Sequence, residues 1–360
     1  MRTHNQLRIA VIGAAIALFA IRTAAAGEFV YLENSDSGEV SVIDIPGHTL
    51  VSTIKVGPFL DDVTPSHDGR ILYVNRYDSL GLGDKHVAES GEVIALSTET
   101  EQILWRTPVH GWPNHLTISL DDRLLYVPLF NTLWAEVIDT QEHKVVKKFR
   151  IGFGGHGTRL SPDGKRLYVG SMMTDVLSVF DLQTLKPVKV LPFKDAVRPF
   201  AFTRDESTVY VQLSRLHGFE VVDLSTDKIV REVLLPKLGP DVKLPKFYPH
   251  TYNHGLELSP DEKLLFASGG IANYVCVYRV PDLTPLATIP VGREPNWIAF
   301  SKDGAFAYVS NRKSDSVSVI SVRDLKEIKR IPVGKYPQRI RVVDVPTRSV
   351  AAKPIAERGT

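Results

Sequence analysis

The sequence predicts an all-β chain, a seven-bladed β-propeller of four-stranded antiparallel blades whose ring is closed by pairing of its N- and C-terminal segments. Three observations predict it: an internal repeat with a ground period of 42 residues, period-2 alternation of apolar and polar residues within each repeat, and two chain ends that each hold part of one unit.

The repeat is read from its most constant pair. Tyr-Val recurs at Tyr73-Val74, Tyr126-Val127, Tyr168-Val169, Tyr210-Val211 and Tyr308-Val309, with Tyr31-Leu32 and Phe266-Ala267 as degenerate copies. Five residues before the aromatic stands Asp68, Asp121, Asp163, Asp205, Asp261 or Asp303, most of them in turns such as Ser161-Pro162-Asp163-Gly164. There the aspartate accepts from backbone amides ahead of it and glycine supplies a positive φ. Alternating β segments follow, for example Val40 to Asp44, Leu177 to Asp181 and Val317 to Ile320, and a fourth strand ends in Ile-Pro-Val-Gly at 289–292 and 331–334.

Taking the residue twelve before each aromatic as a marker gives positions 61, 114, 156, 198, 254, 296 and, by extrapolation, 338. Four of the spacings are 42; the other two, 53 and 56, carry insertions at Arg76 to Gly91 and Lys237 to Pro249. The stretch Phe29 to Gly57 lacks a first strand and the stretch Gln338 to Val343 lacks the other three, so the two should complete one blade and remove the open sheet edge.

The domain reading is a signal peptide at 1–26, a propeller at 27–345 and a disordered tail at 346–360. Arg2 and Arg8, the apolar run Ile9 to Ile21 and Ala24-Ala25-Ala26 have the order of a secretory leader, which places the mature chain in the periplasm or outside the cell. The apolar run is too short for stable membrane insertion. With 43 basic and 41 acidic residues there is no electrostatic reason to expect nucleic acid. The single cysteine, Cys276, excludes an internal disulfide and reads as buried filler.

Tyr-Val-Ser-Asn at 308–311, Ser-Pro-Asp-Gly at 161–164, Val-Ser-Val-Ile-Asp at 40–44 and Ile-Pro-Val-Gly at 331–334 resemble the exported bacterial YVTN family of seven-bladed propellers, over nearly the whole mature chain. The resemblance implies the fold and no single activity, since similar propellers serve as lyases, lactonases, metal-dependent oxidases and binding scaffolds.

Candidate functional residues come from comparing the repeats with one another. The marker positions, expected just before each innermost strand at one channel mouth, read Asp61, Asn114, His156, Arg198, His254, Asn296 and Gln338, with Asp62, His115, Trp297 and Arg339 beside them. None of the seven markers is apolar. His156, Arg198 and His254 fall on consecutive blades, with Asp61 well round the ring, and a guanidinium between imidazoles suits a carboxylate or similar anion. His156 and His254 are the expected catalytic groups; Arg198, Asp61, Asn114, His115, Asn296, Trp297 and Gln338 are the expected ligand contacts. His250, His254, His156 and His115 are also candidate ligands for a divalent metal, Zn, Cu or Fe. A solvated channel end is the plain alternative. The insertion at 237–249, stiffened by Pro240, Pro245 and Pro249, is expected to cover the mouth as a lid, or else to be an ordinary surface loop.

These residues point to an exported propeller that binds a small anionic organic ligand, with or without a metal, and performs acid-base lyase or hydrolase chemistry. Two other readings stay open: a scaffold that binds a partner protein or cell-wall component, and a Cu- or Fe-dependent oxidase.

Overall fold

The computed structural model describes residues 26–77, 90–239, 242 and 251–348. Residues 1–25, most of both insertions and residues 349–360 lie outside the described residues, and with them the signal-peptide and lid expectations. No helix among the described residues is long and apolar enough to cross a membrane.

Seven four-stranded antiparallel sheets form the ring. Counted from the strand that holds Asp61, the innermost strands are Leu60–Pro65, Thr117–Ile118, Gly155–Leu160, Val197–Phe202, Leu256–Leu258, Pro295–Phe300 and Pro337–Val345. In blades 1 to 6 chain order is sheet order. Blade 7 is composite: Pro337–Val345 lies innermost and pairs with Gly27–Asn34, with Phe29 opposite Val343 and Tyr31 opposite Arg341. The predicted closure is what the structure shows.

Burial follows each strand's place in the blade. The second and third strands are covered on both faces by neighbouring blades, so Val169, Leu177, Val309 and Val317 are fully buried. The outermost strands are exposed except for one inward apolar residue near their ends, such as Leu191, Ile289 or Ile331. Apolar clusters sit between blades, as where Tyr126 and Val137 of blade 2 meet Leu167 and Phe180 of blade 3. Each fully buried large apolar side chain contributes about 1.5–3 kcal/mol.

The turn aspartates act as their pattern predicts. Asp163 accepts from Ser161 Oγ at 2.6 Å and from the Lys165 amide at 3.0 Å, and Gly164 has φ +70°. In three blades the glycine position is taken by Asp122, Glu206 or Glu262, at φ 58°, 53° and 57°. Such residues are uncommon in the left-handed region. Their carboxylates reach back to the preceding blade: Asp122 accepts from the His67 amide at 2.9 Å, Glu206 from Tyr168 Oη at 2.9 Å and Glu262 from the Arg204 amide at 2.8 Å. Inter-blade bonds thus offset local backbone strain.

One boundary differs from the sequence reading. Arg348, assigned to the patternless tail, is buried, pairs with Glu101 and lies 4.9 Å over the Phe29 ring. A guanidinium stacked on an aromatic ring fixes a segment that carries no strand periodicity.

Candidate functional site

Five of the seven marker residues lie inside the innermost strands; only Asn114 and His254 precede theirs. This corrects their expected place just before the strands, and it changes the environment. Asn114, His156, Arg198, His254, Asn296 and Gln338 are all buried, as are His115 and Trp297, so this end of the channel is not a solvated mouth. Asp61, with its side chain 14 % exposed, is the most accessible of the group.

A second set of polar side chains fixes this backbone. The residue two after each blade's aromatic is Asn75, Ser268, Ser310 or Glu33 in four of the blades, on the strand next to the innermost one. Ser268 Oγ accepts from the amides of His254 and Gly255, Ser310 Oγ from that of Trp297 at 3.0 Å, and Glu33 Oε1 from that of Arg339 at 3.0 Å. Asn75 Nδ2 donates to the Asn114 carbonyl at 2.6 Å. These bonds set where the axial side chains start from.

Three imidazoles converge on the axis. The ring centroids of His115 and His156 are 4.5 Å apart, those of His156 and His254 5.4 Å, and those of His115 and His254 6.3 Å. Trp297 packs against His115 at 4.9 Å and His254 at 5.0 Å. Burial holds all three imidazoles neutral, well below the ordinary histidine range. Neighbouring imidazoles lower His115 further; Arg198 and Arg312 lower His156, and Arg312, His156 and Arg198 lower His254.

Beside the imidazoles stands a set of buried acids and guanidiniums. His115 Nδ1 is 3.9 Å from Asp61 Oδ2 and 3.9 Å from Asp62 Oδ1. Asp61 is therefore next to His115, because blade 1 adjoins blade 2, and it also feels the Arg198 charge. Burial, then the Asp62 charge, pushes Asp61 up to about 7 against the pull of Arg312 and Arg198. Asp62 and Glu33 are also raised, chiefly by burial. Arg339 Nε lies 3.0 Å from Asp62 Oδ1, without the alignment of a hydrogen bond.

Arg198 does not separate the imidazoles as its place between two histidine blades suggests. Its Nε donates to Ser214 Oγ at 2.7 Å on its own blade, which leaves His156 and His254 in contact. Gln338 accepts from Arg312 and donates from Nε2 to the Leu60 carbonyl at 3.4 Å; Asn114 Nδ2 donates to the Gly155 carbonyl at 3.4 Å. The Asn296 Oδ1 is buried without a partner among the described residues. His250 lies outside the described residues. Among the other histidines, His110 is exposed and paired with Glu136, and His217 bonds the Tyr274 hydroxyl, both away from the axis.

Sequence comparison of the markers missed Glu33 and Arg312. The signal for Glu33 is the aromatic-plus-two position itself, where a carboxylate, fully buried, replaces the serine, asparagine or glycine of most other blades. Arg312 sits in the loop after Phe306–Asn311, and nothing in its local sequence marks it as axial.

The fold and site together define a seven-bladed propeller with a buried, polar, histidine-rich pole on its axis. The sequence matches the YNCE-like β-propeller family over residues 63–243 and the seven-bladed β-propeller lactonase family over residues 155–341. The chain belongs to this YNCE-like and lactonase group of seven-bladed β-propellers. Among its relatives, the 6-phosphogluconolactonase of Yersinia enterocolitica is 21% identical over 333 residues, covering 76% of this chain and 98% of the relative. Antigen Lp49 of Leptospira interrogans is 26% identical over 239 residues, 54% of this chain and 51% of the antigen. The solved periplasmic gluconolactonase of Pseudomonas aeruginosa superposes with a TM-score of 0.69 at 19% identity, covering 89% of this chain and all of that one. Hydrazine synthase of Kuenenia stuttgartiensis superposes with a TM-score of 0.66 at 18% identity, over 86% of this chain and 99% of that one. At these identities the solved structures show the fold alone.

Proposed function

We propose that the protein is an exported hydrolase that opens a small anionic cyclic ester, of the sugar-lactone class, at the axial pole. One observation carries the reading: the charges of the buried Arg198 and the largely covered Arg312 act on a cluster of imidazoles, with Arg339 on the adjoining Trp297 ring and the carboxyl of Asp61, 14 % exposed, beside His115. The relatives named as lactonases support it, as does the secretory order of residues 1–26.

In the reaction, water adds to the ester carbonyl carbon, the ring C–O bond breaks, and the ring oxygen leaves with a proton as a hydroxyl. The guanidiniums stabilise the substrate's anionic group and the negative charge that develops on the carbonyl oxygen, which in a buried site is worth more than in water. Arg198, Nε-anchored to Ser214, holds its guanidinium in one place, and that preorganisation favours a planar oxyanion. In this reading Asp61 accepts the proton of the attacking water, and His156 and His254 face the reacting centre.

The test is hydrolysis of gluconolactone and its 6-phosphate, followed in a pH-stat against the spontaneous rate. The expected result is an acceleration that Arg198→Ala weakens mainly by raising KM at least tenfold, with Arg198→Lys intermediate. A rate equal to the spontaneous one for both substrates, with and without added divalent metals, would overturn the reading.

A further inference from the structure

We propose that His115, His156 and His254 form a three-imidazole site for one divalent transition-metal ion on the propeller axis. Geometry carries the assignment. The three side chains come from blades 2, 3 and 5, and one ring nitrogen of each lies within 4.8 Å of those of the other two. Rings whose centroids are 4.5 to 6.3 Å apart leave a separation that one ion can bridge. The Nδ1 atoms of all three rings are buried without a hydrogen-bond partner among the described residues. Buried polar atoms in native proteins are otherwise paired, so an unpartnered nitrogen on each of three clustered imidazoles indicates a missing partner at this cluster. A tetrahedral ion with bonds of about 2.0–2.1 Å holds its nitrogens roughly 3.3 Å apart, which small side-chain rotations reach.

The groups facing the cluster fit a metal that also takes an anionic ligand. Asp61 and Asp62, each 3.9 Å from His115 Nδ1, and the buried Glu33 behind them balance an added double charge. Arg198, Arg312 and Arg339 then leave the pole positive overall, which favours an anion in the fourth coordination position. Three protein ligands and one open position distinguish catalytic from closed structural sites. Trp297, packed on His115 and His254, holds their ring planes, and its buried Nε1 donor has no acceptor among the described residues. The all-imidazole donor set selects Zn, Cu, Ni or Fe over Ca and Mg. Cys276 takes no part: its Sγ faces Thr288 on the outermost strand of blade 5.

The inference deepens the hydrolase reading, whose water-activating centre this ion would be, but the binding of the ion does not depend on that activity. The experiment is therefore on binding. The chain is purified without a polyhistidine tag, its metal content is measured by elemental analysis, and the metal-stripped protein is titrated calorimetrically with Zn²⁺, Co²⁺ and Cu²⁺. The expected result is one ion per chain, a Co²⁺ absorption band of low-symmetry nitrogen coordination, and a loss of at least 100-fold in affinity in His156→Ala and His254→Ala. His254→Gln, which keeps more of the side chain's volume, serves if the alanine variants unfold; His110→Ala, at the exposed histidine, leaves binding unchanged. No stoichiometric binding of any of the three ions to folded protein, or binding that survives His156→Ala/His254→Ala, overturns the site. Full lactone hydrolysis by metal-stripped protein would overturn the ion's water-activating role while leaving the hydrolase reading intact. Stoichiometric metal without hydrolysis would overturn the hydrolase reading while leaving the site intact.

Discussion

The guanidinium of Arg339 lies 3.7 Å over the indole ring of Trp297, and its Nε is 3.0 Å from a carboxylate oxygen of Asp62. Both members of the ion pair are at most 2 % exposed, so neither can exchange its partner for water. Arg339→Ala is expected to destabilise the protein by about 3–5 kcal/mol, because it strands a buried carboxylate. The Asp62→Ala/Arg339→Ala double variant should lose less than the sum of the single losses, by about 0.5–3 kcal/mol in urea unfolding. Strict additivity would show that the two groups do not act as a pair.

Ring closure rests on Pro337–Val345, which buries Ile340, Val343 and Val345 to 3 % exposure or less. Ending the chain after Tyr336 removes all three and unpairs Gly27–Asn34, for a loss above about 5 kcal/mol. Thermal melting of the truncated and full chains is the check. Equal midpoints would mean that the ring does not depend on this strand.

The turn carboxylates make the fold sensitive to acid. Hydroxyl donors, Ser119, Ser161, Thr203 and Ser259, hold Asp121, Asp163, Asp205 and Asp261 below their ordinary range. A depressed folded-state value contributes stability that is present above the ordinary aspartate pKa and is lost as pH falls through the folded value. Asp163→Asn should therefore lower the urea midpoint at about pH 6 and lower it much less at about pH 3. A gap of the same size at both pH values would assign the effect to something other than the charge.

Burial pushes the Cys276 thiol up to about 11. At pH 8 the thiolate fraction is then on the order of one in a thousand, and the sulfur is covered as well. A chromogenic disulfide reagent should report no thiol in the native protein and one in strong denaturant. Rapid reaction of the native chain would contradict this placement of Cys276.

The blade pattern was legible because it is local. Tyr168 and its equivalents, the Ser-x-Asp turns and the 42-residue spacing are each set by contacts within one unit or to the next, and a repeated local requirement leaves a repeated local signature. The axial ring was legible for the same reason, since equal positions in equal blades face one point. What escaped is whatever depends on how side chains meet across blades. Arg198 was read as standing between two histidines, yet its bond to Ser214 keeps it on its own blade. His115, one residue past a marker, joins His156 because the two entry segments converge, and no spacing encodes that. Burial of the pole was hidden as well: polar residues at a channel end suit a solvated mouth as well as a closed site until the second strands, with Glu33 and Ser310, are seen to supply their partners.

The bond from the Arg339 amide to Glu33 joins residues 306 positions apart, whereas blades 1 to 6 each form from contiguous sequence. Docking of that strand is accordingly the slow, long-range step of assembly. The strand that performs it also delivers Gln338 and Arg339 to the pole, where they meet Arg312, Asp62 and Trp297. Shutting the ring and completing the axial pole are consequently one event, and an intermediate with six finished blades has its hairpins but not the full set of axial side chains. The pole of this protein is assembled all at once, when the clasp engages.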